Sequence, residues 1–218
     1  MTRTLLRASS RGAVVVAGAT LFLALTAVPA SAAQDLCVSI DGTVRVQKGT
    51  ATCSSVAGSG NVAIANGANS TATAGFSAGD RHNRAVASGD NSVAFAGIGS
   101  GNTATASGDD SGATAEGTIQ TAIASGVNGS AVARFGENSR ATASGDNSFA
   151  NANGGDHNIA TARGDNSSAI AVTGNHNTAI ARAQSSSATA SVGDNNTAIA
   201  SSPNCIALAT GGGVTDSC

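Results

Sequence analysis

The chain has 218 residues, 28 of them glycine, with 2% aromatic and 11% charged residues and neither tryptophan nor tyrosine. Most of its apolar content is alanine, which excludes a conventional core of large side chains. Its formal charge of −2 becomes 8 − 13 = −5 once Arg3, Arg7 and Arg11 are removed with the leader, and that balance argues against nucleic acid or an anionic membrane as partner.

Residues 1–32 read as a secretory signal peptide. Arg3, Arg7 and Arg11 supply a basic start, residues 12–28 an apolar run, and Ala30-Ser31-Ala32 a small-x-small cleavage site. The run is short for a membrane anchor and carries no stop-transfer flank. An Arg-Arg pair for twin-arginine export is missing, and Asp35-Leu36-Cys37 lacks the small residues of a lipoprotein site. The expected product starts at Ala33, is secreted or retained at the cell envelope, and does not insert in the membrane after cleavage.

Residues 33–58 are expected to form an N-terminal cap. Val38-Ser39-Ile40 and Thr43-Val44-Arg45-Val46 flank Asp41-Gly42, the signal of a type I′ hairpin. In an exported chain, Cys37, Cys53, Cys205 and Cys218 read as two disulfides. The ends of a rigid repeat array lie too far apart to bridge, so the expected pairing is local, Cys37–Cys53 and Cys205–Cys218.

Residues 59–210 carry the repeats. Ala-x-Ala recurs sixteen times, from Ala63-Ile64-Ala65 to Ala207-Leu208-Ala209, at steps of 9 or 10 residues from Ala85 onward. Two steps make a coil of about 19 residues, the signature of a solenoid. Frequent Gly, Ser, Asn and Thr exclude helix, and disorder gives no reason to hold such a register. The expectation is an all-β, narrow, two-faced parallel β-solenoid (a β-roll) of about eight coils, ~38 Å long at ~4.8 Å per coil. Residues 211–218 would be a tail closed by the second disulfide.

Within each half-coil the alternate residues separate into a monotonous set and a variable one. The monotonous set, a small polar residue followed by two alanines, is assigned to the interior. Asn61, Asn83, Asn102, Gln120, Ser139, Asn158, Asn177 and Asn196 lead the first half-coils, where stacked amides can hydrogen-bond along the axis. Ser70, Ser92, Ser111, Gly129, Ser148, Ser167, Ser186 and Cys205 lead the second. The variable set of the first half forms a flat β-branched face, interrupted by Arg84 and Arg140. Its candidate interaction residues are Thr103, Thr105, Thr121, Ile123, Thr142, Thr161, Thr178, Ile180, Thr197 and Ile199. The second half is more mixed, and Ile98, Phe135 and Val192 at its inner end imply a wedge-like cross-section.

The rhythm of residues 102–108, Asn-x-Ala-x-Ala-x-Gly, resembles the head domain of trimeric autotransporter adhesins. Asn195-Asn196-Thr197 resembles the turns of plant and insect ice-binding β-solenoids, and both likenesses cover residues 62–210. The cysteine-bracketed start followed by Ala-x-Ala repeats is also similar to an uncharacterised family of secreted actinobacterial proteins. These resemblances imply a β-roll fold, with adhesion or ice binding as activities. Ice binding asks for Thr at both outward positions of a strand, which only the Thr103/Thr105 strand satisfies on this face.

Gly-Asp-Asn recurs at residues 89–91, 145–147, 164–166 and 193–195. Turn chemistry explains it, Asp and Asn capping backbone and Gly supplying φ > 0. A calcium ladder would need a Gly-Gly-x-Gly-x-Asp pattern, which is missing, although Asp90 with Asp109 and Asp146 with Asp165 stack like charges that a cation would relieve. His82, His157 and His176 each stand three residues before a first-half Ala, with His157 and His176 one coil apart in one column; they read as turn residues. The sequence contains no nucleophile triad, paired-acid motif or phosphate loop, so neither an enzyme nor a cofactor is expected. The expected function is a structural or interaction protein, meeting itself or a cell-wall component through the β-branched face. Ice binding and calcium binding are the alternatives.

Overall fold

The structure, a computed structural model, describes residues 35–58 and 60–218, so the expected signal peptide at 1–32 lies outside the described residues. The chain opens with β1 (Leu36–Ile40) and β2 (Thr43–Lys48), an antiparallel pair. Its turn has φ of 47° at Asp41 and 80° at Gly42, the two left-handed residues of a type I′ connection. Next come β3 (Thr52–Ser55), β4 (Val62–Asn66), β5 (Thr71–Ala74), β6 (Arg84–Ala87), β7 (Val93–Gly97) and β8 (Thr103–Ala106). The middle holds β9 (Gly112–Thr118), β10 (Thr121–Ala124), β11 (Ser130–Glu137), β12 (Arg140–Ala143), β13 (Phe149–Asn153) and β14 (Ile159–Ala162). The chain closes with β15 (Ser168–Val172), β16 (Thr178–Ala181), β17 (Ser187–Ser191), β18 (Thr197–Ala200), β19 (Ile206–Thr210) and β20 (Thr215–Ser217).

From β3 onward the chain alternates between two parallel sheets. Sheet A runs β2-β1-β4-β6 and on through the even strands to β20; sheet B runs through the odd strands from β3 to β19. The fold is the expected parallel β-solenoid, but it has about nine turns rather than eight. The extra turn is made of β3 and β20. Neither contains Ala-x-Ala, so a count of alanine pairs passes over both. β3 pairs in parallel with β5 inside the segment expected to be only a cap, and the closing segment 211–218 adds β20 to β18. The hairpin joins sheet A by β1 pairing antiparallel with β4.

Every Ala-x-Ala strand places its two alanines inward, and all of these alanines are fully buried. Their alignment is strict: Ala85 pairs with Ala104, Ala104 with Ala122, Ala122 with Ala141 and Ala141 with Ala160. A single methyl per inward position lets the two sheets approach closely, and the buried dispersion contacts accumulate over the turns.

The inner Asn column satisfies itself through backbone rather than through amide–amide pairing. Asn83 N donates to Asn61 Oδ1 (3.1 Å), Asn102 N to Asn83 Oδ1 (3.0 Å) and Gln120 N to Asn102 Oδ1 (3.0 Å). Ser139 N continues to Gln120 Oε1 (3.2 Å), Asn158 N to Ser139 Oγ (3.1 Å), Asn177 N to Asn158 Oδ1 (2.9 Å) and Asn196 N to Asn177 Oδ1 (3.0 Å). The relay starts in the hairpin, where Asp41 Oδ1 accepts Asn61 N, and ends with Asn196 Oδ1 accepting Gly212 N and Val214 N. The amide nitrogens spend their protons on turn carbonyls, as Asn158 Nδ2 does on Gly174 O (2.8 Å). Each buried amide thus meets its demand.

Both disulfides form as expected and link the two sheets. Cys37 on β1 stands opposite Ala65, and Cys53 on β3 opposite Ala72, so the Cys37–Cys53 bond takes over two alanine columns at the first turn. Cys205, at the head of β19, bonds Cys218 just beyond β20.

Two turn details correct the sequence reading. Ile98, Phe135 and Val192 do not thicken the interior: they sit in turns at φ of 52–55°, with 49%, 64% and 61% of their surface exposed. A turn at the end of a narrow coil needs a left-handed residue there, and this geometry turns the side chain to solvent. In the turns from sheet A to sheet B the left-handed residue is Asn91, Asn147 or Asn166, not the preceding glycine. Asn tolerates that conformation through its short polar side chain. Gly145 serves another end, since a Cβ there would collide with the carbonyl of Gly164 on the next coil.

One turn is longer than the rest. Between β5 and β6 the chain bulges out, with Phe76 against Phe95 edge to face at 6.4 Å. Asp80 pins this bulge: Oδ2 accepts Phe76 N (2.7 Å) and Ser77 N (2.9 Å), and Oδ1 accepts Gly99 N (2.9 Å) from the next coil. Burial alone would raise its carboxyl, but backbone N–H groups of Ser77, Phe76, Gly99 and Ile98 together outweigh burial and hold it below the ordinary carboxylate value.

Candidate functional site

The outward residues of sheet A stand in columns because every strand pairs in parallel at the same register. Val62, Arg84, Thr103, Thr121, Arg140, Ile159, Thr178 and Thr197 form the first column. Ile64, Val86, Thr105, Ile123, Thr142, Thr161, Ile180 and Ile199 form the second. All ten candidate interaction residues lie in these two columns, and each is half-buried among its neighbours. β-Branched side chains side by side on a pleated surface stiffen one another and leave a continuous, low surface.

The backbone ladder runs one residue past the strand ends, which adds a third column. Ser144 N donates to Ala162 O, Arg163 N to Ala181 O and Arg182 N to Ala200 O, at 2.8–2.9 Å. Ser88, Ser107, Ser125, Ser144, Arg163, Arg182 and Ser201 share that column, and all are exposed. Arg163 and Arg182 therefore belong to the same face as Arg84 and Arg140. The sequence reading missed them, although strand alternation continued by one residue beyond the second alanine points to them.

The charges are sorted by surface. From β4 to β18 the three outward columns of sheet A contain four arginines and no carboxylate. Arg140 Nε reaches only Thr142 Oγ1, at 3.3 Å. The described ion pair, Arg134 with Glu116 at 3.2 Å, lies on sheet B. Glu137 closes β11 on sheet B, and the other acids occupy turns or the ends of the solenoid.

In the turns the carboxylates cap the preceding coil. Asp90 Oδ1 accepts Ala68 N, Asp109 Oδ1 accepts Asp90 N, Asp146 Oδ1 accepts Val127 N and Asp165 Oδ1 accepts Asp146 N, at 2.8–3.0 Å. These are the pairs read above as weak calcium candidates; each acid has one oxygen committed to backbone. His157 and His176 stack as their shared column requires, ring centroids 4.9 Å apart and planes 2° from parallel. Among the described residues no group of three or more His, Cys, Asp or Glu side chains is placed to hold a metal ion.

In comparison with known proteins, no family model, curated protein or solved structure matches the chain.

Proposed function

We propose that this is an exported, non-enzymatic structural or interaction protein that docks through the outward face of sheet A, either on a cell-envelope component or on a second copy. The observation that carries the reading is the pair of mainly Thr/Ile/Val columns, interrupted at Arg84 and Arg140 in the first, held at one unbroken register over eight successive strands. A rigid surface loses little side-chain entropy on docking, which favours association over a large area. The inward side chains are mostly methyls, and the inner Asn column is bonded to backbone, which supports a scaffold rather than a catalyst. Two disulfides suit an oxidising compartment, in keeping with export and with an adhesin-like role.

The test compares two double variants of the secreted protein, Thr105→Glu with Ile123→Glu on sheet A and Thr114→Glu with Thr189→Glu on sheet B. Light scattering reads self-association, and sedimentation with the envelope fraction reads retention. The sheet A pair should abolish whichever of the two the wild type shows, and the sheet B pair should leave it intact. Equal loss in both, or loss only on sheet B, would refute the assignment.

A further inference from the structure

The overall charge of the processed chain conceals how that charge is distributed. Arg84, Arg140, Arg163 and Arg182 all project from the outward face of sheet A, and that face offers them no carboxylate. A surface arginine with an acid in reach normally pairs with it, and Arg134 does so on sheet B. Successive strands place Arg140, Arg163 and Arg182 on three neighbouring coils, each step ~4.8 Å along the axis, with Arg84 three coils before Arg140. The result is a basic strip as wide as the face, with Arg84 and Arg140 in its first column and Arg163 and Arg182 in its third, on a protein of opposite net charge.

We infer that this strip is a binding surface for a linear carboxylate-bearing polysaccharide laid along the solenoid axis. The inference rests on sheet A being the docking face. Three features select this partner. Arginine's planar fork matches a carboxylate in a two-pronged geometry. The threonine hydroxyls of Thr103, Thr105, Thr121, Thr142, Thr161 and Thr178 lie between and beside the arginines, where they supply partners for sugar hydroxyls. A sugar unit is also about as long as one coil's rise, so successive carboxylates can meet Arg163 and Arg182 on successive coils, with Arg140 approaching from across the face. Nucleic acid fits less well because the face has no aromatic side chain on which a base could stack. A lipid surface fits less well because, Ile159 apart, the Ile and Val side chains lie half-buried between their neighbours rather than projecting. At ~0.15 M salt the Debye length is ~8 Å, which limits how far the acidic turns on either flank oppose such a ligand.

The experiment uses the secreted chain with its disulfides intact and measures binding to immobilised polygalacturonate, to neutral dextran and to double-stranded DNA. Polygalacturonate should bind the wild type in about 50 mM salt and release it by about 200 mM, with no binding to dextran and less to DNA. Combining Arg140→Gln, Arg163→Gln and Arg182→Gln should weaken polygalacturonate binding by at least about tenfold and flatten the salt slope by about 2, at ~0.7 per charge lost. A control triple, Arg81→Gln, Arg134→Gln and Arg45→Gln (the last on the terminal hairpin, outside the β4 to β18 columns), removes the same net charge and should retain binding. The proposal is overturned if the wild type ignores polygalacturonate, if DNA binds as well or better, or if both triples lose equally. One further result separates it from the reading it rests on. If Thr105→Glu with Ile123→Glu abolishes envelope docking or self-association while the sheet A arginine triple leaves it untouched, the face docks but its partner is not anionic, and only this inference falls.

Discussion

At the scale of single residues, the fold turns on a size limit. Ala104 and Ala143 are fully buried between two sheets whose separation is set by methyl groups, whereas Thr105 and Thr142 stand outward beside them. Overpacking typically costs ~1–3 kcal/mol where neighbours can shift, and here each neighbour is fixed by the coils above and below. Ala104→Leu or Ala143→Leu should therefore lower the melting temperature far more than Thr105→Leu or Thr142→Leu, and thermal melts of the four variants check it. A second residue-scale expectation concerns acid. The Asp80 carboxyl lies below its ordinary value of 3.8, so its stabilisation is fully present above that pH and is lost as pH falls through the lowered value. Asp80→Asn should be less stable than wild type at neutral pH by about 1–3 kcal/mol, through the weakened contacts to Phe76 N, Ser77 N and Gly99 N. Denaturant titrations at stepwise lower pH should show that gap closing below pH 3.8.

Individual strands and turns separate what the sequence made legible from what it did not. The inward alanines, the Asn column, the Cys37–Cys53 and Cys205–Cys218 pairs and the stacked His157 and His176 were readable because a strict period makes residues one coil apart neighbours in space. β3 and β20 were hidden because each belongs to an end turn, where cysteine replaces alanine or Asp216 stands at the alanine position and accepts the Leu208 N–H. Ile98, Phe135 and Val192 misled for another reason. Their hydrophobicity suggested interior, but their backbone is left-handed and the side chain follows it outward. The bridged end turns carry a prediction of their own. Each disulfide closes a loop of roughly 15 residues, worth ~3 kcal/mol on the chain-entropy account. Reduction should raise hydrogen exchange in β1, β3, β19 and β20 before it reaches β8 to β15; uniform loosening of all strands would contradict this.

Across the whole molecule, composition and net charge describe the chain poorly because its properties are sorted by surface. Small side chains line the interior and acids line the turns, while β-branched residues and arginines without an ion pair among the described residues share one outer sheet. The −5 balance expected once the leader is removed argues against polyanions; the proposed role of Arg84, Arg140, Arg163 and Arg182 departs from that expectation for one face. Everything proposed about that face depends on a single register running without slip from β4 to β19, since a shift of one residue would exchange interior and surface. The direct measurement is a cysteine scan, with one substitution per variant at the first Ala and at the following outward residue of each coil, as in Ala104→Cys and Thr105→Cys. Native thiol labelling should be rapid at every outward position and blocked until denaturation at every inward one, in unbroken alternation along the solenoid. Rapid labelling at the alanine positions with protection of the residues between them would invert the account, and equal labelling at both would remove the solenoid itself.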